Sequence, residues 1–233
     1  MGLARAIGLI ALTVLVLMFL TGLWWNRSPN LFDVQAAAQK RADRYNEKLV
    51  PGYITTNTLI EVANTLLNKS GGYSTNDIMP PSVFIDDMPS WEWGVLQQVR
   101  DFSKALRNDI SRSSTQSEDP DFEHAGRPIE VEEKTPWMEV DNVFYEARGT
   151  CWALIHFLRA VEIDFKDLLK QKNTAMILQQ VIIQLETTQK AVWSPLILNG
   201  SEFGLFANHS LVLSSYISRA NTGIIELYNL LNH

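Results

Sequence analysis

Residues 6–25, AIGLIALTVLVLMFLTGLWW, run for twenty positions without a charge or a proline. At a helical rise of about 1.5 Å per residue, such a stretch spans about 30 Å, the hydrocarbon thickness of a bilayer. Leu9, Leu12, Leu15 and Phe19 form its apolar bulk. Trp24 and Trp25 close it with the aromatic pair expected where hydrocarbon meets headgroups. A cleaved signal peptide has a shorter apolar run and then a small-x-small site. Here Trp24-Trp25-Asn26-Arg27 follows the run, and Ala36–Ala38 lies far from it. The expectation is therefore a tail over 1–5 and an uncleaved transmembrane anchor over 6–25. Arg5 and the α-amine compete with Arg27, Lys40 and Arg41 for the inner side. A large following domain translocates regardless of such charges, so the domain is expected outside, in the periplasm. Thr13 and Thr21 are eight apart on one face and could bring two anchors together, giving a homo-oligomer.

Everything downstream must fold without covalent staples. The chain has 233 residues and one cysteine, Cys151, which excludes an intrachain disulfide. Residues 28–233 hold 18 basic against 26 acidic side chains, a net charge of −8. That balance disfavours nucleic acid as a partner and a polybasic grip on anionic lipid.

The apolar spacing beyond the anchor is helical throughout. Residues 28–50 read as a stalk helix from Leu31 to Leu49, stopped by Pro51-Gly52. Thr55 or Thr56 is placed to cap a helix reaching Asn68, which Ser70-Gly71-Gly72 ends. Another helix, capped by Ser90, runs to about Ser111 with Val95, Leu96, Val99, Phe102 and Leu106 on one face. Residues 112–136 lose apolar content and turn acidic, marking an exposed linker. Val140–Leu169 carries the longest three-four apolar stripe, tolerating Gly149 at a cost of about 1 kcal/mol against Ala. A helix from Asn173 or Thr174 to Trp193, and one ending near Leu231, complete the chain. The fold class is all-α: one transmembrane helix, then a helical domain over 51–233 that forms a bundle of five to six helices with a long Pro/aromatic loop.

That loop, residues 71–94, holds the candidate site. Pro80, Pro81 and Pro89 stand among Tyr73, Asp77, Asp86, Asp87, Trp91, Glu92 and Trp93. An irregular segment this long in a compact domain is a functional loop or a cover over the core. Asp77, Asp86 and Asp87 could ligate a hard cation or act as acid and base, but they lack the alternation of a calcium loop. The weightier reading is that they bond the loop's own backbone, while the aromatics plug the core against the Val140–Leu168 stripe. Cys151 and His156 sit about 140° apart around one helix, so they are no dyad. Cys151 reads as a small core residue and His156 as a partly buried polar one. No catalytic, cofactor-binding or metal motif is recognisable, and no cofactor is expected.

The stretch NKSGGYSTNDIMPPSVFIDDMPSWEWGVLQQVRDFSKALR, residues 68–107, together with the short anchor, resembles an uncharacterised family of proteobacterial inner-membrane proteins. The resemblance implies a single-pass envelope protein and carries over no catalytic residue. The functional expectation is a structural or protein-interaction module, a subunit or accessory factor of an inner-membrane assembly, with other envelope proteins as partners. The alternative is an envelope hydrolase or ligand-binding protein using the acidic residues of the 71–94 loop.

Overall fold

The computed structural model describes residues 2–74, 86–112, 135–136, 139–192, 197 and 209–231. Among them lie eight α-helices and no strand: α1 (Gly2–Trp25), α2 (Val34–Tyr45), α3 (Tyr53–Asn68), α4 (Asp87–Arg112), α5 (Val140–Asp164), α6 (Lys166–Gln171), α7 (Ala175–Thr187) and α8 (His209–Leu231). The all-α expectation stands: among the described residues α2 is the helix expected within 28–50, and the domain over 51–233 holds six helices, α3 to α8.

α1 is long and apolar enough to cross a membrane, and none of its residues is buried. Its two hydroxyls are satisfied within the helix: Thr13 donates to the Leu9 carbonyl and Thr21 to that of Leu17. α2 does not stand off as a stalk. Asp33 caps it by accepting from the Gln35 and Ala36 N–H groups. Val34, Ala38 and Ala42 are buried, with Val34 and Ala38 packed beside Ile54 of α3 and Ala160 of α5. Sparse apolar positions made this helix look solvated, yet two alanines and a valine suffice for close packing. Leu31 and Phe32, expected inside the helix, precede it and plug the core.

α3 begins at Tyr53, two or three residues before the expected threonine cap. Its first turn is capped from another helix: the Asp164 carboxylate accepts from the Thr55 N–H and hydroxyl, both at 2.7 Å. Asp164 ends α5, so the stripe expected to run unbroken to Leu169 is divided at Phe165 into α5 and α6.

α4 and α5 form the central pair. Asp87 lies near Asp141, Trp91 against Gly149, and Phe102 stacks on Phe157 at 4.1 Å, so the two helices run parallel. They touch backbone to backbone. A Cβ at Gly149 would lie 2.9 Å from the Trp91 carbonyl carbon, and one at Gly94 would lie 2.8 Å from the Thr150 nitrogen. Val62, Leu66, Met88, Trp91, Val95, Trp152 and Phe157 fill the core around this crossing. A second core joins Cys151 and Ile155 of α5 to Leu178, Val181, Ile182 and Leu185 of α7 and Ala220 of α8. α7 ends at Thr187, not Trp193. The buried Arg148 guanidinium donates to the Thr188, Gln189 and Lys190 carbonyls and caps it where the chain turns.

Candidate functional site

The expected loop contributes less irregular chain than its prolines implied. α4 starts at Asp87, so Pro89 sits in the first turn, where a missing N–H breaks no intrahelical bond. Trp91, Glu92 and Trp93 are therefore helical residues and point different ways. Asp77 lies outside the described residues.

Trp91 is fully buried, its ring 5.2 Å from that of Trp152, and Tyr73 packs half-buried on the same core. Trp93, on another side of α4, is 48% exposed. α5 receives Trp91, but on its Gly149, Trp152 and Phe157 side and not on the expected stripe, whose Cys151 and Ile155 pack against α7 and α8.

Glu92 is fully buried and organises the turn after α3. Lys69 Nζ lies 2.6 Å from Oε1, with both side chains almost wholly inaccessible. The Ser74 N–H donates to both carboxylate oxygens at 3.1 and 2.9 Å, and its hydroxyl donates at 2.7 Å. Lys69 also donates to the Gly72 carbonyl at 2.7 Å. A buried carboxylate is tolerated when a cation and several donors surround it, and here all are present. Gly71 and Gly72 both take positive φ, at 82° and 71°, to make the turn. Lys69 was not recognised in the sequence, because an isolated lysine before a glycine turn reads as solvated.

The same turn meets the end of α1. A Cβ at Gly71 would come within 2.8 Å of the Trp25 indole Cγ, so only glycine admits the ring. One residue on, Asn26 Nδ2 donates to Asp87 Oδ2 at 3.3 Å. Further along, the Phe32 N–H donates to His156 Nε2 at 3.1 Å, and the two rings stack at 4.0 Å. His156 Nδ1 lies 2.7 Å from the Trp152 carbonyl. An imidazole that accepts at Nε2 must carry its proton at Nδ1, so the ring is neutral and uses both nitrogens. Burial depresses its pKa to about 4. His156 is thus fully enclosed, more so than its sequence setting suggested. Trp25, Asn26 and Phe32 pin the segment after α1 to α3, α4 and α5 in turn.

Asp86, Asp87 and Asp141 converge at this junction, with one carboxylate oxygen from each within 4.8 Å of the others. Asp86 is exposed and the other two half-buried. Burial above all, then the neighbouring Asp86 and Asp141 charges, raise Asp87 to about 6, against the lowering effect of the Asn26 bond. Crowded oxygens relieve repulsion by holding a proton or a cation; the sequence offered Asp86 and Asp87 but not Asp141, which comes from a helix 54 positions on. Cys151 is buried in the α5–α7 core, and burial pushes its thiol up to about 11, so it is an inert packing residue.

The expected site therefore divides. Glu92, Trp91 and Tyr73 belong to the interior, Asp86 and Asp87 to the α1 junction, and Trp93 to the surface. No curated protein and no solved structure matches the chain. Residues 1–133 and 122–233 both match the family DUF2333, described as uncharacterized proteins conserved in bacteria. Between them these matches span the whole chain, which belongs to that family.

Proposed function

We propose that this chain is a single-pass protein of the bacterial inner membrane whose periplasmic helical domain is a non-enzymatic interaction module, an accessory subunit of a membrane assembly. The observation that carries this reading is the outer wall built by α7 and α8. The hairpin reaches α5 almost wholly through α7, so α5 and α8 diverge around a groove of about 460 Å³. Val143, Ala147, Leu154, Ile217 and Ile224 line it. The same hairpin leaves Ile183, Val212, Ile225 and Tyr228 about half exposed or more. Exposed apolar surface of this kind marks docking sites, and a groove between helices suits a partner helix.

Two further features support the reading. The junction at Trp25, Asn26 and Phe32 holds the domain to α1, which suits an uncleaved anchor. Glu92 and His156, the most deeply buried acid–base groups, are consumed by structural bonds.

A photo-crosslinking residue at Glu146 or Asn221 in living bacteria should give discrete adducts, and one at the exposed Lys104 of α4 should not. Ala147→Asp should abolish the Asn221 adduct while leaving the melting temperature unchanged. Groove positions that crosslink no better than Lys104 would refute the module reading. A C-terminal alkaline phosphatase fusion should be active; an inactive one would place the domain inside.

A further inference from the structure

We propose that the α1 end of the bundle is itself seated in the bilayer's headgroup layer, on zwitterionic phospholipid, through Leu67, Trp93, Val143, Leu211 and Val212. The inference rests on reading α1 as an uncleaved span. If α1 crosses the hydrocarbon and ends at Trp25, no spacer separates the membrane from the domain. Trp25 touches Gly71, and Asn26, the next residue, holds Asp87. The end of α3 and the start of α4 must then lie at the membrane surface. Asp141 brings the start of α5 to the same level, and the contact between Phe144 and His209, ring centroids 6.4 Å apart, brings the start of α8.

Each of these four helix ends exposes apolar side chains close to that level. Leu67 is four residues from Gly71, Trp93 six from Asp87, Val143 two from Asp141, and Leu211 two from His209. At helical rise these separations are about 3–9 Å. The interfacial layer beyond the hydrocarbon is about 5–8 Å deep on each side. Leu67, Trp93, Val143 and Val212 are each about half exposed, and Leu211 somewhat less. Tryptophan favours this layer, where its ring is buried and its N–H stays wet. The occupant is zwitterionic because Asp86, Asp87 and Asp141 crowd the same end and repel anionic headgroups. The seat thus works by apolar insertion, extending sideways the contact the span begins.

The test uses the full chain in phosphatidylcholine nanodiscs with single spin labels on cysteines at Leu15, Trp93, Val143, Leu211 and Met176. Cys151 is buried and stays in place. Collisional access to oxygen and to a nickel chelate reports depth. Labels at Trp93, Val143 and Leu211 should be several-fold more oxygen-favoured than Met176, which is 81% exposed at the far end, and shallower than Leu15. Should Trp93→Cys disturb the fold by circular dichroism, Val143 and Leu211 decide the question. A deep Leu15 with junction labels indistinguishable from Met176 would overturn the seat and leave the span intact. An aqueous Leu15 would overturn both.

Discussion

Gly149→Ala separates two accounts of the central helix pair by the sign of its effect. Gly149 lies inside a 25-residue helix, where glycine is about 1 kcal/mol worse than alanine. By helix propensity alone the substitution stabilises. The packing opposes it. The new Cβ would lie 2.9 Å from the Trp91 carbonyl carbon and 3.1 Å from its Cα. The Trp91 carbonyl oxygen lies closer still, and unstrained contacts are about 3.5–4.0 Å, so α4 and α5 must part by more than the ~0.5–1 Å the two carbons alone require. The obstacle is backbone, which no rotamer change can move. Parting the helices would loosen Trp91 from Trp152, both fully buried. Overpacking of this kind costs about 1–3 kcal/mol, and a backbone clash belongs at the upper end. After the propensity gain, the net loss is about 1–2 kcal/mol. For a domain of this size, that lowers the melting temperature by roughly 2–8 °C. Thermal unfolding in detergent, followed at 222 nm, reads it directly. Gly8→Ala is the control, because nothing lies within 4 Å of the new atom. A rise of 2–4 °C for Gly149→Ala would refute the close crossing.

Glu92→Gln leaves Lys69 buried opposite a neutral amide and should cost about 3–5 kcal/mol; in a double-mutant cycle with Lys69→Met the two losses should be far from additive. Trp91→Ala should cost about 3–5 kcal/mol in the same assay, whereas the half-exposed Trp93→Ala should cost much less. The pH dependence turns on two groups with opposite slopes. Asp87 is raised from 3.8 to about 6, so the folded state holds its proton more tightly; that stability is full below 3.8 and lost as pH rises through 6. His156 is lowered from 6.5 to about 4, so the unfolded state binds the proton first; stability is full above 6.5 and lost as pH falls through 4. Wild-type stability should be nearly flat from pH 6 to 4, while Asp87→Asn should lose about 2–3 kcal/mol over that window. A mutant as flat as wild type in urea titrations would remove His156 from this account.

What was legible in the sequence was what periodicity carries. The apolar run of α1, the α5 stripe that meets α7 and the burial of Trp91 follow from spacing and hydropathy; the second buried face of α5, with Trp152 and Phe157, does not. Boundaries failed where a distant residue decided them. Asp164 leaves α5 to cap α3, and Arg148 ends α7, yet neither action has a local signature. Pro89 was read as a loop residue because proline excludes helix interiors but not first turns. Gly149 was read as a tolerated defect, because the close approach that requires it is to Trp91, 58 positions away. Lys69 and Asp141 escaped notice for the same reason: a charged residue's burial depends on partners brought by the fold. Residues 28–50 looked like a stalk because alanine adds little to an apolar count, although it permits the tightest packing.

Contacts of Trp25 and Asn26 lock the bundle to the end of α1, so that it does not hang from Ser28-Pro29-Asn30 as from a free tether. A spin-label pair at Leu23 and Met176, both exposed, in the full chain in nanodiscs tests this by double electron–electron resonance. The contacts of Trp25 with Gly71, Asn26 with Asp87 and Phe32 with His156 predict one narrow distance distribution. A broad distribution, as from a domain swinging on a free linker, would contradict the lock and the membrane seating built on it.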